Sequence, residues 1–166
     1  MEVPFGEVPT SDLIVDALYQ SDREAPPGHL GGEPLSKLMR VGNLGGFRSR
    51  KGKSGILFSV LTSTGREPEW PDELDVTTGT YKYYGDNRIP GQSLLETKQR
   101  GNLLLKDSFE LAKSENALER AKCPVFFIFE PGGVARDQIF RGLAVPSSAS
   151  SEENFGLDIV TRTVDG

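Results

Sequence analysis

The sequence predicts a β-rich α+β domain with roughly five to seven strands and two or three helices. Nineteen glycines and eleven prolines interrupt the 166 residues at short intervals, which is typical of many short strands joined by turns. Several runs are rich in β-branched and aromatic residues, whereas only one long stretch repeats apolar residues at helical spacing. Because this length suits one folding unit, we expect residues 1–166 to form a single domain.

The helical predictions rest on caps and apolar spacing. Residues 12–19 follow Ser11, whose hydroxyl suits an N-cap, and they carry a short apolar stripe. Residues 35–39 suit a single helical turn. The longest candidate runs from residue 103 to about residue 122, and Ser114 marks a point where this helix breaks or a second one begins.

Five segments have the composition of strands: residues 54–64, 79–84, 124–130, 138–145 and 157–164. Residues 125–129 are apolar without interruption, which predicts a strand buried on both faces. The turn sequence Pro131-Gly132-Gly133 predicts a hairpin between this strand and the next. The glycine-rich segment from Gly42 to Arg48 is predicted to be a loop, either one whose backbone amides approach phosphates or a mobile hairpin tip.

The composition excludes several classes of protein. A single cysteine forms no internal disulfide, and one cysteine with one histidine provides too few ligands for a structural zinc site. No apolar run approaches the ~18–20 residues of a membrane-spanning helix, and the first residues lack the pattern of a secretory signal. We therefore expect a cytoplasmic protein with no membrane partner.

The formal net charge of −5 argues against nucleic acid as a partner, but the charge is unevenly distributed. Residues 36–62 contain six basic side chains and no acidic one. Residues 79–106 contain five basic and two acidic side chains, so the rest of the chain is strongly acidic. A basic surface on an acidic body is compatible with phosphate contacts, and an ordinary solvated loop is the alternative.

The segment from Glu69 to Asn87 has the richest chemistry in the chain. It contains the only tryptophan, Trp70, and three of the four tyrosines beside several acidic residues. Aromatic rings stack on a flat base, and a carboxylate accepts a hydrogen bond from the N4 amine of cytosine. A protein that holds a base outside the duplex needs both groups. The simpler alternative is that these rings cap the hydrophobic core.

Two further functions stay open on the residues alone. Pro71-Asp72 followed by Glu96-Thr97-Lys98 matches a short nuclease pattern, in which Asp72 and Glu96 would hold Mg²⁺ and Lys98 would steady the attacking water. That pattern belongs on an apolar strand, whereas here Glu96 lies in a polar segment. The third possibility is a protein-interaction domain with an aromatic patch and no affinity for DNA.

The order of these features resembles the SRA domain, a module that binds 5-methylcytosine, and is similar to the N-terminal domain of AspBHI-type modification-dependent restriction endonucleases. The resemblance covers roughly residues 12–146. The segments that carry it are Val41-Gly42-Asn43, Gly46-Phe47-Arg48, Trp70-Pro71-Asp72-Glu73-Leu74-Asp75, Thr78-Gly79, Tyr83-Tyr84-Gly85-Asp86-Asn87 and Phe140-Arg141-Gly142-Leu143-Ala144-Val145-Pro146.

The resemblance implies a twisted, crescent-shaped sheet of the barrel type with flanking helices. It implies a prokaryotic DNA-recognition domain taken from a longer protein, whose nuclease domain would follow at the C-terminus. The partner would be double-stranded DNA that contains a modified cytosine. This chain alone would then cleave nothing and need no cofactor, and Mg²⁺ would serve only the nuclease domain of the parent protein.

The resemblance also implies that the modified cytosine is flipped out of the duplex into a pocket. The residues at matching positions are Trp70, Asp72, Glu73, Asp75, Tyr83 and Tyr84. Trp70 and Tyr83 would stack on the base, one of the three carboxylates would accept from N4, and Tyr84 stands where related domains usually have threonine. The expected contacts to the DNA backbone and groove are Arg40, Asn43, Arg48, Arg50, Lys51, Lys53, Arg88, Lys98 and Arg100.

Overall fold

The computed structural model describes residues 1–43, 46–51, 57–62, 73–82, 101–147 and 156–160, which contain one mixed sheet and three short α-helices. The strands in these ranges are β1 Glu2–Val3, β2 Leu18–Tyr19, β3 Gly46–Lys51, β4 Leu57–Thr62, β5 Glu73–Asp75, β6 Thr80–Lys82, β7 Val125–Pro131, β8 Gln138–Pro146 and β9 Gly156–Ile159. The helices are α1 Pro34–Leu38, α2 Gly101–Lys113 and α3 Ala117–Arg120, with 3₁₀ turns at Val8–Thr10 and Leu30–Gly32. This architecture confirms the predicted α+β class.

The main path of the sheet runs in the order β3-β4-β7-β8-β9-β6-β5. Strands β4 and β7 are parallel, and every other neighbouring pair on this path is antiparallel. Strands β7 and β8 form the predicted hairpin, with a bulge between Ile128 and Phe129. Among the described strands the path is open, with β3 and β5 at its two ends, so it forms a crescent and not a closed barrel.

Two apolar clusters pack against the sheet. The first cluster is formed by the N-terminal segment, α1 and the central strands: Val3, Val8, Ala17, Tyr19, Leu35, Met39, Val41, Val60, Phe129 and Phe140. The second cluster joins α2 to the sheet: Tyr81, Leu105, Phe109, Phe126, Ile128, Ala144, Leu157 and Ile159. Phe47 from β3 and Leu74 from β5 both pack against the second cluster. Because these residues come from opposite ends of the path, the sheet must curve around that cluster.

The helix predicted over residues 12–19 is wrong. This segment is extended or bent, Asp16 has a φ of +63°, and the chain enters β2 at Leu18. The Tyr19 hydroxyl accepts from the Ile14 amide at 2.8 Å and donates to the Asp12 carbonyl at 2.7 Å. Since Tyr19 is fully buried, this tertiary arrangement outweighs the weak helical preference of the segment.

The loop predicted between Gly42 and Arg48 is also partly wrong, because residues 46–51 form strand β3. All six of its residues pair with β4, from Gly46 opposite Thr62 to Lys51 opposite Leu57. Glycine and charged residues are poor strand formers, so the pairing with an apolar neighbour determines this structure. The basic residues of this segment therefore lie on a strand.

The other helical predictions are confirmed. Helix α1 covers the predicted turn, and the long candidate is divided into α2 and α3 near Ser114. The side chain of Asn116 caps α3 by accepting from the Leu118 amide at 2.9 Å. In the described part of the chain, no helix has the length and apolar character needed to cross a membrane.

An ionic cluster around the buried Asp137 carboxylate fixes the N-terminal segment to the β7–β8 turn. The Asp137 carboxylate pairs with both terminal nitrogens of Arg23, at 2.6 and 2.7 Å. It also accepts from the Ser21 amide at 2.8 Å and the Ser21 hydroxyl at 2.9 Å. Burial raises the pKa of Asp137, but the bonds from Arg23 and Ser21 together outweigh burial and lower the pKa below its usual value. The neighbouring Arg136 guanidinium donates to four backbone carbonyls of residues 22–29.

Asp137→Asn tests the contribution of this cluster to stability. We expect the substitution to lower the free energy of unfolding by about 1–3 kcal/mol at neutral pH, because Arg23 loses its partner and the buried position keeps fewer acceptors. The folded-state pKa of Asp137 is lowered, so its contribution is complete above the unfolded value of about 4 and disappears as the pH falls through the folded pKa. Urea unfolding of both proteins, from neutral pH to about pH 2, measures the difference.

The exposed Asp107 on α2 offers a matched control, and Asp107→Asn should leave the stability near that of the parent. The stability difference between the parent and Asp137→Asn should shrink at acidic pH, where the parent carboxylate is protonated. A difference that stays constant with pH would show that the carboxylate charge contributes nothing.

Candidate nucleic-acid interface

The segment rich in aromatic and acidic residues, residues 69–87, is called the motif below. The short ladder between β5 and β6 lies inside it and anchors its two halves. Glu73 is the Cα partner of Lys82, and Asp75 is the partner of Thr80. The chain therefore enters β5 at residue 73 and leaves β6 at residue 82 at the same end of one ladder. The residues of the motif that precede and follow this ladder are attached to adjacent strand ends.

The inner face of this ladder belongs to the hydrophobic core. Tyr81 is fully buried in the second cluster, and Leu74 packs against that cluster from the paired position. Of the three tyrosines in the motif, Tyr81 thus has the role of a core residue. Its burial fixes which side of the strands faces solvent.

The outer face carries two of the predicted pocket carboxylates, Glu73 and Asp75, and both are exposed. Glu73 lies opposite Lys82, with its Oε2 atom 3.6 Å from the lysine Nζ atom. Lys82 is a further candidate residue that the sequence did not predict. Because residues alternate between the two faces of a strand, Lys82 lies on the exposed face when Tyr81 is buried, and it is the pairing partner of Glu73.

Asp75 holds the turn between β5 and β6. Its Oδ1 atom accepts from the Thr77 amide at 2.8 Å and from the Thr78 amide at 3.2 Å. The Thr78 side chain, the Thr78 amide and the Thr77 amide lower the pKa of Asp75, in that order of importance. The turn ends at Gly79, whose φ of +71° suits glycine and whose carbonyl accepts from the Ile159 amide at 2.7 Å.

Strand β3 distributes its basic residues over both faces. Phe47 packs edge-on against Phe126 in the second cluster, with a centroid distance of 5.8 Å. Residues alternate across a strand, so Arg48 and Arg50 lie on the opposite face from Phe47, and Lys51 lies on the same face as Phe47. Arg50 and Lys51 are exposed, whereas Arg48 is partly buried and donates from Nη1 to the Phe47 carbonyl at 2.9 Å.

The strand directions place two of the predicted DNA-contacting residues, Arg50 and Lys51, at the same end of the sheet as the β5–β6 ladder end. From the parallel and antiparallel pairings, the Lys51 end of β3 and the Glu73–Lys82 end of the β5–β6 ladder point the same way. Arg50 and Lys51 thus lie at the same end of the sheet as Glu73 and Lys82. The β7–β8 turn lies at the opposite end.

Asn43 and Arg40 lie toward that opposite end. The Asn43 side chain donates from Nδ2 to the Arg136 carbonyl at 2.7 Å, and its amide donates to Glu33 Oε2 at 2.8 Å. Asn43 therefore joins the segment before β3 to the β7–β8 turn. Arg40 follows α1, is exposed and has a φ of +57°.

The remaining predicted residues lie outside the described residues: Trp70, Asp72, Tyr83, Tyr84, Lys53, Arg88, Lys98 and Arg100. Glu96, named in the nuclease pattern, lies outside them as well. Within the described ranges, no group of three or more histidine, cysteine, aspartate or glutamate side chains is placed to hold a metal ion.

Comparison with known proteins gives a family and several similar folds. Residues 13–166 match the family described as "Restriction endonuclease AspBHI N-terminal". The fold is similar to the DNA modification-dependent restriction endonuclease AspBHI, at 36% identity and a TM-score of 0.78 over 98% of this chain and 46% of that one. It is also similar to the DNA recognition domain of the cytosine modification-dependent restriction endonuclease LpnPI, at 29% identity and a TM-score of 0.74 over 96% and 77% of the two chains.

A more distant similarity concerns the fold alone. The MspJI restriction endonuclease, solved in complex with a 27-mer oligonucleotide, gives a TM-score of 0.58 at 18% identity, over 87% of this chain and 42% of that one. No curated protein matches by sequence. The chain spans less than half the length of AspBHI and of MspJI, at 46% and 42%.

The turn role of Asp75 leads to a prediction about stability. Asp75→Ala removes the acceptor of the Thr77 and Thr78 amides, so we expect a lower Tm than that of the parent. Asp75→Asn keeps a side-chain oxygen that accepts from the same amides, so its Tm should stay near the parent value. Thermal unfolding followed by circular dichroism measures all three proteins. An equal loss in both variants would contradict the proposed role of the oxygen in the turn.

Proposed function

The chain belongs to the AspBHI N-terminal family of restriction endonucleases, and from this membership we propose that it reads 5-methylcytosine, or a related modified cytosine, in double-stranded DNA. The family match over residues 13–166 is the observation that carries the proposal. The family describes the N-terminal region of the AspBHI restriction endonuclease, and the similar LpnPI structure is the DNA recognition domain of a cytosine modification-dependent restriction endonuclease. A Mg²⁺-dependent nuclease domain in the parent protein would cut the DNA that this domain selects.

We propose that the modified cytosine leaves the duplex and is held between Trp70 and Tyr83, with Tyr84 at the wall of the pocket. The anchoring of both halves of the motif at the Glu73–Lys82 end of one ladder supports this arrangement. Flipping a base costs a few kcal/mol of stacking and pairing. Stacking on an aromatic ring returns about 1–3 kcal/mol per ring, so two rings offset that cost.

Among the three candidate carboxylates, we propose that Asp72 accepts the hydrogen bond from the N4 amine. Asp75 already accepts from two amides in its own turn. Glu73 lies across from Lys82, whose positive charge competes for its oxygens. Asp72 precedes Glu73 directly in the chain, next to the ladder end that both halves of the motif share.

The DNA backbone would be held by the basic residues near this end of the sheet. Arg50 and Lys51 are exposed on the two faces of β3, so they are suited to contact a backbone that lies along the strand edge. Arg48 is partly exposed and is a further candidate for a contact with the DNA backbone. We also propose backbone contacts for four basic residues that lie outside the described ranges: Lys53, Arg88, Lys98 and Arg100.

Binding to matched duplexes with and without one 5-methylcytosine tests the reading function. We expect the modified duplex to bind more tightly, and we expect Trp70→Ala and Tyr83→Ala each to weaken that binding by about 10- to 100-fold. Their effect on the unmodified duplex should be much smaller. Fluorescence anisotropy at physiological salt measures these affinities.

The outcomes of this experiment separate the candidate functions. Equal affinities of the parent for both duplexes would overturn the reading of the modification. A uniform loss in both aromatic variants would overturn the stacking roles of Trp70 and Tyr83. Failure of the parent to bind any DNA, even at low salt, would favour a protein-interaction domain instead.

The carboxylate assignment has its own test. Asp72→Asn keeps the size of the side chain but replaces an acceptor oxygen with a donor group, so we expect it to reduce the preference for modified DNA. Glu73→Gln and Asp75→Asn are the matched controls, and each should keep that preference. If Glu73→Gln removes the preference while Asp72→Asn keeps it, the assignment to Asp72 is wrong.

A further inference from the structure

Three residues other than glycine have positive φ angles in the described part of the chain: Asp16 at +63°, Arg40 at +57° and Ala135 at +46°. Side chains rarely adopt this left-handed conformation because the Cβ atom crowds the backbone, and glycine is favoured at such positions. Such a position raises the question of whether its side chain contributes to the fold or to a function.

Arg40 is fixed in this conformation by its two neighbours. Met39 and Val41 are both buried in the first cluster, on either side of the exposed Arg40. The amides of Met39 and Val41 both donate to the Leu35 carbonyl, at 2.9 and 3.4 Å, which closes the end of α1. This is the kind of helix end where glycine is the usual residue.

The side chain of Arg40 has no structural use in the described part of the protein. The strained Asp16 forms an ion pair with Arg141 at 2.9 Å, so its side chain contributes to the fold. Arg40, in contrast, forms no hydrogen bond or ion pair with any residue that the structure describes. An exposed guanidinium at a position that favours glycine is a candidate for contact with a ligand.

A second cation, Lys37, lies on α1 itself, three residues before Arg40 in the chain. The Lys37 ammonium lies 5.9 Å from the centroid of the Phe5 ring. Lys37 and Arg40 both add positive charge to this part of the chain. The acid-free window from residue 36 to residue 62 continues from here into the basic strand β3.

We propose that Arg40 contacts a phosphate of the bound duplex at a distance from the modified base. This inference rests on the proposed function. Arg40 precedes β3, whereas the Glu73–Lys82 end of the β5–β6 ladder corresponds to the far end of that strand. Six strand residues span about 17–20 Å, which corresponds to roughly five base pairs of duplex. A phosphate contact at that distance adds affinity without discriminating modified from unmodified DNA.

The test compares Arg40→Gly, Arg40→Lys and the matched control Ala135→Gly. Arg40→Gly should weaken binding of modified and unmodified duplexes by the same factor, about 3- to 10-fold, and reduce the slope of log affinity against log salt by about one. Its Tm should equal or exceed that of the parent, because glycine relieves the strained backbone. Arg40→Lys keeps the charge and should bind nearly as the parent does. Ala135→Gly should likewise keep or raise the Tm, with unchanged binding.

Unchanged affinity and salt slope in Arg40→Gly, with a parent that binds DNA, would overturn the role of Arg40 alone. A lower Tm for Arg40→Gly would also overturn it, because the side chain would then serve the fold. A loss confined to the modified duplex would place Arg40 at the base pocket and contradict the remote contact. A parent that binds no DNA would remove both the proposed function and this inference.

Discussion

Burial of the second apolar cluster is the constraint on which the arrangement of the molecule depends. Phe47 and Leu74, from the two ends of the sheet path, pack against the same cluster beneath α2, which forces the sheet to curve. The same burial holds Tyr81 inward and therefore turns Glu73 and Lys82 outward on the paired strands. A fully buried aromatic or leucine side chain contributes about 1.5–3 kcal/mol, far more than an exposed ion pair. Apolar packing, more than charge, thus decides which polar groups face solvent.

The sequence predicts what depends on local composition and misses what depends on pairing. The uninterrupted apolar run of β7 and the turn after it predict the central hairpin, because both signals are local. Residues 12–19 have a helical pattern, yet burial of Tyr19 and pairing with β8 make them extended. Strand β3 looks like a loop in the sequence because its apolar partner is supplied by β4, which no local pattern reveals.

The candidate site is predictable in its residue types and less so in the roles of individual residues. The concentration of aromatic and acidic residues around Trp70 is the local signal from which the sequence predicts a base pocket in this region. The turn role of Asp75 and the structural role of Asn43 appear only when their hydrogen-bond partners are known. Both are polar residues that occur at turns and at binding sites alike, so their type alone does not separate the two roles.

A crystal structure of the domain bound to a duplex with one 5-methylcytosine would show directly where the modified base lies. We expect the base outside the helix, between the rings of Trp70 and Tyr83. We also expect its N4 atom within about 2.7–3.2 Å of a carboxylate oxygen of Asp72. A modified base that stays stacked and paired in the bound duplex would show that this domain does not read the modification by base flipping.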